Sequence, residues 1–217
     1  MKTYNYDDNI YDGNGEGFIF SEKNCALSFF RSPNNNNLKG IGLHIHPECD
    51  DIDILLKGEL TLFSSWKDSV TIKAPCIVTH KAGIAHAVIS RGEKPALMYG
   101  FRSPFKGGII VERNKKLITR APQIFRPNEY CEGSYFLFES EFTNIYLHIN
   151  QNFIPERKKY YSRSIINLSS QEIKINKDKK CLLGGSILYD GKLKKIKIQE
   201  QRSILVELIA KGIFNET

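Results

Sequence analysis

Short apolar segments separated by turn residues recur along the whole chain. Residues 17–20, 51–57 and 59–64 are examples. Nowhere does an apolar period of 3.6 residues persist for ten residues or more, so the pattern does not indicate long amphipathic helices. Short apolar runs bounded by Gly, Pro, Asn and Asp are typical of β-strands. The pattern therefore predicts an all-β protein.

The predicted strands form two groups separated by a charged segment with two prolines. The first group comprises residues 17–20, 25–31, 39–46, 51–57, 59–64, 69–73, 76–79, 86–90 and 95–101. The second comprises residues 134–139, 143–149, 164–168, 171–175, 181–189, 192–198 and 203–210, with a hairpin over 182–198 around Asp190-Gly191. We therefore expect an N-terminal arm (1–16), a first β domain (17–111), a connector (112–132) and a second β-rich region (133–217).

The net charge of +7 is confined to the second half of the chain. Residues 1–110 contain 12 Lys and Arg against 12 Asp and Glu, whereas residues 111–217 contain 19 against 12. The excess is scattered in short pieces rather than clustered on one face with stacking aromatic residues, as a nucleic-acid interface would require. We expect solvated strand faces and no nucleic-acid partner.

Targeting and redox signals favour a cytoplasmic protein. No apolar run approaches the ~18 residues of a membrane helix, and the polar N-terminus lacks the apolar core of a signal peptide. The five cysteines include no CxxC pair, which argues against a disulfide scaffold or a cysteine zinc site. We expect no membrane partner.

Four of the five histidines fall between positions 44 and 86. His44 and His46 are two residues apart on a predicted strand, so their imidazoles point to the same face. Asp51 begins the next strand, and His86 follows a turn at Gly83. Three imidazoles and one carboxylate suit a divalent transition metal such as Fe, Mn, Ni, Co, Cu or Zn, with positions left open for a substrate.

These residues resemble the two motifs of the cupin superfamily over about residues 17–105. The first motif is Gly, five residues, His-x-His, three or four residues, Glu, six residues and Gly; His44, His46 and Gly58 match it, with Asp51 in place of Glu. The second is Pro-x-Gly, two residues, His, three residues and Asn; Gly83 and His86 match it, whereas Lys81 and Ser90 depart from it.

The resemblance implies a jelly-roll barrel with one divalent metal held by His44, His46, Asp51 and His86. Because Asp is one methylene shorter than Glu, whether Asp51 is a direct ligand stays open. The region 133–217 has no His-x-His pair, so we expect either a degenerate, metal-free second cupin, giving a bicupin-like chain, or strands that extend the first domain or its dimer interface.

The sequence gives weaker evidence for a functional role of the remaining polar residues near these motifs and of His148. Asp53 shares a strand face with Asp51, so it is a candidate catalytic group for proton transfer, an alternative metal ligand or a residue at the barrel mouth. His80 is interpreted as a rim or packing residue, and His148 as a structural strand residue. Cys49 lies between two acidic residues that disfavour its thiolate, so it is not expected to be a nucleophile.

The favoured hypothesis is a metal-dependent isomerase or lyase acting on a small oxygenated substrate such as a sugar, keto acid or hydroxy acid. Isomerisation, epimerisation or elimination would use the metal as a Lewis acid. The alternatives are an Fe(II) dioxygenase and a non-catalytic cupin that binds a small ligand, because the fold does not select among them. Strand 52–56 is apolar on both faces, which favours a homodimer or burial against the second half.

Overall fold

The computed structural model describes a chain of β-strands divided into two compact units. The described residues are 2–4, 15–22, 24–31, 42–89, 96–106, 108–111, 117–150, 162–170, 172–175, 180–182, 184–189 and 203–211. The N-terminal unit comprises Tyr11–Arg126, and the C-terminal unit comprises Pro127–Thr217 together with Met1–Ile10. None of the described residues forms a helix with the length and hydropathy needed to cross a membrane.

The strands are numbered along the chain, starting with β1 (Lys2–Tyr4) in the C-terminal unit. The N-terminal unit contains β2 (Gly15–Ser21), β3 (Ala26–Arg31), β4 (His44–Ile45), β5 (Asp50–Lys57), β6 (Glu59–Phe63), β7 (Ser69–Lys73), β8 (Cys76–His80), β9 (Ala87–Ile89), β10 (Leu97–Ser103), β11 (Ile110–Val111) and β12 (Gln123–Phe125). The C-terminal unit contains β13 (Gly133–Glu139), β14 (Thr143–Ile149), β15 (Ser162–Asn167), β16 (Ile173–Ile175), β17 (Lys180–Leu182), β18 (Ile187–Tyr189) and β19 (Ile204–Ala210).

The N-terminal unit is built on an antiparallel six-stranded sheet in the order β12-β8-β5-β10-β3-β2. A three-stranded sheet (β7-β6-β9) and the short pair β11-β4 complete it. The two larger sheets share a buried apolar cluster that includes Leu55, Leu60, Leu62, Ile72 and Met98. This layered, antiparallel architecture confirms the predicted all-β fold.

The interior face of strand β5 is polar near its start and apolar near its end. Asp51, Asp53 and Leu55 alternate along the strand, so they point to one face. Leu55 belongs to the apolar cluster, whereas both aspartates are buried without being part of it. The interior is therefore apolar at one end and polar at the other.

The central strands of the large sheet are also buried on the opposite face. Ile52, Ile54, Phe29 and Tyr99 are at most 1% exposed within the single chain. No second subunit is needed to cover this face, so the apolar character of strand 52–56 no longer argues for a dimer. The homodimer stays a prediction.

The C-terminal unit repeats the strand order of the N-terminal unit. Its six-stranded sheet runs β1-β18-β15-β19-β14-β13, which matches β12-β8-β5-β10-β3-β2 position for position. The matching edge strands β2 and β13 each have seven residues beginning with glycine. Their pairing shifts register at the same place, between Phe18 and Phe20 in β2 and between Phe136 and Phe138 in β13.

One edge strand of each six-stranded sheet comes from the chain segment that precedes the strands of the other unit. Strand β12 lies within the predicted connector 112–132, yet it pairs with β8. Strand β1 lies within the predicted N-terminal arm 1–16, yet it pairs with β18. The sequence pattern missed both because three-residue strands are too short to show a period.

Two other strand predictions concern the region after residue 180. A continuous strand over 181–189 is wrong, because a turn at Gly184-Gly185 separates β17 from β18 and Gly185 has a φ of 79°. The left-handed conformation at Gly185 ends the strand and is one that glycine adopts readily. The predicted hairpin around Asp190-Gly191 and the strand 192–198 lie outside the described residues.

The apolar cluster yields a stability prediction at Ile72. Ile72→Ala should lower the free energy of unfolding by about 2–5 kcal/mol, because this 1%-exposed side chain leaves a cavity between the sheets. Urea denaturation followed by the fluorescence of Trp66, the chain's single tryptophan, measures the change. The neighbouring exposed residue provides the control, since Lys73→Ala should change stability by less than about 0.5 kcal/mol. Equal losses in both variants would contradict the assigned core.

Candidate metal centre

Four side chains from separate parts of the chain meet in the interior of the N-terminal unit. His44, His46, Asp51 and His86 each offer a donor atom, and these atoms lie within 4.8 Å of one another. All four residues are buried. Donors at opposite sides of a transition metal are about 4.2 Å apart when each bond is about 2.1 Å. The group therefore needs only small side-chain adjustments to surround one ion, and we call it the His/Asp cluster.

The backbone brings the two histidine segments together. The N–H of His44 donates to the carbonyl of His86 at 3.0 Å, and the N–H of His86 donates to that of His44 at 2.9 Å. Residues that exchange both hydrogen bonds are directly opposite each other in an antiparallel ladder. Their side chains therefore point to the same face.

The turn before His86 is tied to the same region. Gly83, with a φ of 76°, donates its N–H to the carbonyl of His46 at 2.8 Å. The Asp50 carboxylate accepts the N–H of Ala82 at 3.2 Å. Asp50 thus holds the turn that carries His86, while the adjacent Asp51 reaches the cluster.

Hydrogen bonds to the backbone fix the rings of two histidines. His44 Nδ1 lies 2.8 Å from the carbonyl oxygen of Gly42, and His86 Nδ1 lies 3.0 Å from that of Ile84. Because a carbonyl oxygen only accepts, each Nδ1 carries the proton and donates it. In a neutral ring the lone pair is then on Nε2, which is the arrangement of metal-binding histidines.

The carboxylate of Asp51 lies at the centre of the cluster. Its Oδ2 is 3.2 Å from Nε2 of both His46 and His86. Its Oδ1 is 3.5 Å from Nε of Arg102, which lies opposite Asp51 in the pairing of β5 with β10. The shorter side chain of aspartate therefore reaches the imidazoles.

The charges of the cluster fit a bound cation. Burial lowers the pKa of His44 to about 4, and the charge of His86 adds to this effect. Burial raises the pKa of Asp51, but hydrogen bonds to His46 and His86 and the charge of Arg102 outweigh burial and hold it well below its ordinary value. Lone pairs of neutral imidazoles repel a carboxylate at 3.2 Å, so a proton or a metal ion is needed between them.

The pKa of His86 shows how a proton can fill this role. Burial lowers it, but the hydrogen bond and charge of Asp51 reverse the effect and raise it overall. A divalent ion between the donors would offset the negative charge of Asp51 in the same way, with two positive charges instead of one. The donor set of three nitrogens and one oxygen therefore fits a divalent transition metal, and it forms a His/Asp metal-binding cluster.

His80 and Asp53 stand beside the cluster. The His80 ring stacks on the His86 ring with centroids 4.1 Å apart and an angle of 12° between planes. His80 Nε2 lies 3.7 Å from Asp53 Oδ2. Burial lowers the pKa of His80 well below its ordinary value. Asp53 is 4% exposed and His80 3%, so neither lies at an open rim.

Sequence reasoning assigned no functional position to His80 or Arg102. One signal was available for His80, because cross-strand pairing places it opposite Asp51 and hence on the interior face. That signal needs the pairing of β5 with β8, which the sequence alone does not specify. The sequence did not identify Arg102 either, because its proximity to Asp51 depends on the register between β10 and β5.

His148 and Cys49 are not part of the cluster. His148 is buried in the C-terminal unit, where its Nε2 lies 3.3 Å from Glu207 Oε2 and its Nδ1 lies 2.9 Å from the Ser134 hydroxyl. Burial, with the charge of Asp51 adding to it, raises the pKa of Cys49 to about 12, so its thiol stays protonated at neutral pH.

Comparisons with known proteins bear on the fold. No family model matches the chain, and no curated protein sequence matches it. Among solved structures, the Escherichia coli protein YlbA, described as DUF861, has a TM-score of 0.66 at 8% identity, covering 93% of this chain and 84% of its own. The E. coli pirin YhhW in complex with nickel(II) has a TM-score of 0.60 at 13% identity, covering 96% and 87%.

A third similar structure is the salicylate 1,2-dioxygenase of Pseudaminobacter salicylatoxidans. Its TM-score is 0.63 at 8% identity, covering 87% of this chain and 71% of the dioxygenase. The TM-scores of these structures show a shared architecture, but sequence identities this low leave the activity of the chain open. Together with the antiparallel sheets and the His/Asp cluster, they show that this chain has the fold of the cupin superfamily.

Proposed function

We propose that the chain is a divalent-metal-dependent enzyme that isomerises, epimerises or eliminates from a small oxygenated substrate. His44, His46, Asp51 and His86 hold the metal. The observation that carries the proposal is a second buried carboxylate, Asp53, one strand repeat along β5 from Asp51. A buried acid beside a cation site is a candidate for proton transfer.

The metal and the surrounding residues have separate roles in the proposed reaction. A divalent metal held by His44, His46, Asp51 and His86 would supply Lewis acidity toward a substrate oxygen. Asp53 accepts or returns the proton at its carboxylate. His86 and His44 keep their Nε2 atoms directed inward through the hydrogen bonds at Nδ1. Burial of the cluster excludes bulk water and strengthens these electrostatic interactions.

A dioxygenase is the second candidate. Three imidazoles and one carboxylate with open coordination positions also suit Fe(II) and oxygen chemistry. One structurally similar protein is a salicylate 1,2-dioxygenase, which supports keeping this candidate although it shows only the shared fold. Oxygen consumption by the Fe(II)-loaded protein with small acids separates the two candidates. Substrate-dependent oxygen uptake would overturn the isomerase or lyase proposal, and turnover without oxygen uptake would support it.

We also propose that the C-terminal unit is a degenerate, metal-free second cupin. The matched strand order and the matched register shifts support a duplication. Arg102 and Ile209 are each the sixth residue of their strands β10 and β19, and they pair with Asp51 and Arg163, respectively. Arg163 in β15 therefore occupies the position that corresponds to Asp51 in β5. Its Nε atom lies 2.6 Å from Glu207 Oε1. This internal ion pair replaces the metal site.

Metal uptake tests the His/Asp cluster directly. Protein purified without chelator should bind about one divalent ion per chain, and His46→Ala should reduce binding to less than a tenth. Elemental analysis measures the ion, and Trp66 fluorescence offers a titration signal because its indole lies beside Gly42, the residue that holds His44. Thr71→Ala, at an exposed position, is the control. Full metal content in His46→Ala would contradict the ligand assignment, and no uptake by the unmodified protein would favour a non-catalytic ligand-binding cupin.

Asp51→Asn tests whether the shorter carboxylate is a direct ligand. The variant keeps the size of the side chain but removes its charge, so we expect at least tenfold weaker metal binding in the same titration. The secondary structure should be unchanged by circular dichroism. Affinity equal to that of the unmodified protein would show that Asp51 acts only from outside the coordination sphere.

Asp53→Asn tests the proposed proton-transfer group separately from the metal. Loss of a general acid or base lowers kcat by about 10²–10⁴-fold. Metal affinity should stay within about threefold, because Asp53 is not one of the four donors. Unchanged kcat with a substrate found by screening would refute the catalytic role of Asp53.

A further inference from the structure

A buried nitrogen of His80 is directed at Asp53 without a hydrogen-bond partner. Its Nε2 makes no hydrogen bond among the described residues, although His80 is only 3% exposed. The same atom lies 3.7 Å from Asp53 Oδ2. This separation is too long for a direct hydrogen bond. A buried imidazole nitrogen left unsatisfied is unfavourable, so the pair is suited to a third polar group.

The two groups specify the chemistry of that third group. An ionised carboxylate only accepts hydrogen bonds, and an imidazole N–H donates one. When the proton of His80 is on Nε2, the group between them donates to Asp53 and accepts from His80. A hydroxyl does both, whereas a carbonyl or ether oxygen can only accept and a second carboxylate is repelled by Asp53.

The neighbouring strand leaves space for Asp53. Gly100 lies opposite both Asp53 and Ser28 in the pairings of β10. A Cβ added at Gly100 would be 2.9 Å from Ser28 Oγ and 4.0 Å from Asp53 Oδ1. Glycine at this position lets the Ser28 and Asp53 side chains stand side by side over β10.

We propose that His80 and Asp53 form a subsite for a hydroxyl group of the substrate. The inference rests on the proposed function, in which Asp53 exchanges a proton with the substrate beside the metal. It narrows the substrate class to small hydroxy compounds, such as hydroxy acids or sugars, over their oxo counterparts. The hydroxyl donates to the Asp53 carboxylate and accepts from His80 Nε2–H.

Matched pairs of small molecules test the subsite. The probes are L-lactate and pyruvate, and L-2-hydroxybutyrate and 2-oxobutyrate, titrated by calorimetry into the Ni(II)-loaded and the metal-free protein. We expect the hydroxy member of at least one pair to bind about tenfold more tightly, which is the contribution of one hydrogen bond that its oxo partner cannot make. The preference should be present in both forms of the protein.

Two variants separate a hydrogen-bonding role from ring stacking. His80→Phe keeps a flat ring against His86 but removes Nε2, so the tenfold preference should fall below twofold while Ni(II) affinity stays within threefold. His80→Gln restores a polar nitrogen without the ring and should retain part of the preference. Thr71→Ala is the exposed control and should behave as the unmodified protein.

Failure of this inference can be distinguished from failure of the proposed function. An unmodified protein that takes up no Ni(II) contradicts the proposed function, whereas the hydroxyl preference is still measured in the metal-free form. The subsite is refuted if oxo compounds bind as well as hydroxy compounds, if no probe binds at 20 mM, or if His80→Phe keeps the full preference. Weaker Ni(II) binding in His80→Phe, with the preference intact, would show a purely packing role.

Discussion

The repulsion between buried lone pairs and a buried carboxylate is the constraint on which the N-terminal unit depends. Asp51 Oδ2 lies 3.2 Å from Nε2 of two imidazoles, and backbone carbonyls hold the Nδ1 protons of His44 and His86. Arg102 compensates part of the charge of Asp51 at Oδ1, and a positive charge among the donors relieves the remaining repulsion at Oδ2. A proton on His86 provides one charge, and a divalent ion provides two. The site therefore selects for a cation through its own geometry.

The sheet architecture supplies the rigidity that this constraint demands. His44 and His86 are opposite residues joined by two backbone hydrogen bonds, and Asp51 lies on a central strand between β8 and β10. The apolar cluster around Leu55, Leu60 and Leu62 fills the rest of the interior. His44 and Asp51 lie on strands, and His46 and His86 each lie one residue outside a strand. Donors on or next to paired strands keep their positions better than donors in long loops, which keeps the cost of ordering them low when an ion binds.

The sequence predicted the features that depend on local pattern. Alternation and turn residues identified most strands of the N-terminal unit, and spacing identified His44, His46, Asp51 and His86, which the structure brings together. Features that depend on pairing between distant segments were missed. Strands β1 and β12 are too short to show a period, and the proximity of His80 and Arg102 to Asp51 follows from strand register. The same limit hid the shared strand order of the two units.

X-ray absorption spectroscopy at the metal edge, on protein loaded with one equivalent of Ni(II), tests the central claim most directly. We expect about three imidazole nitrogens and at least one oxygen at roughly 2.0–2.2 Å from the metal. A shell of oxygen alone, with no imidazole scattering, would contradict it. Such a spectrum would mean that the three histidines and Asp51 converge for a reason other than holding a metal ion.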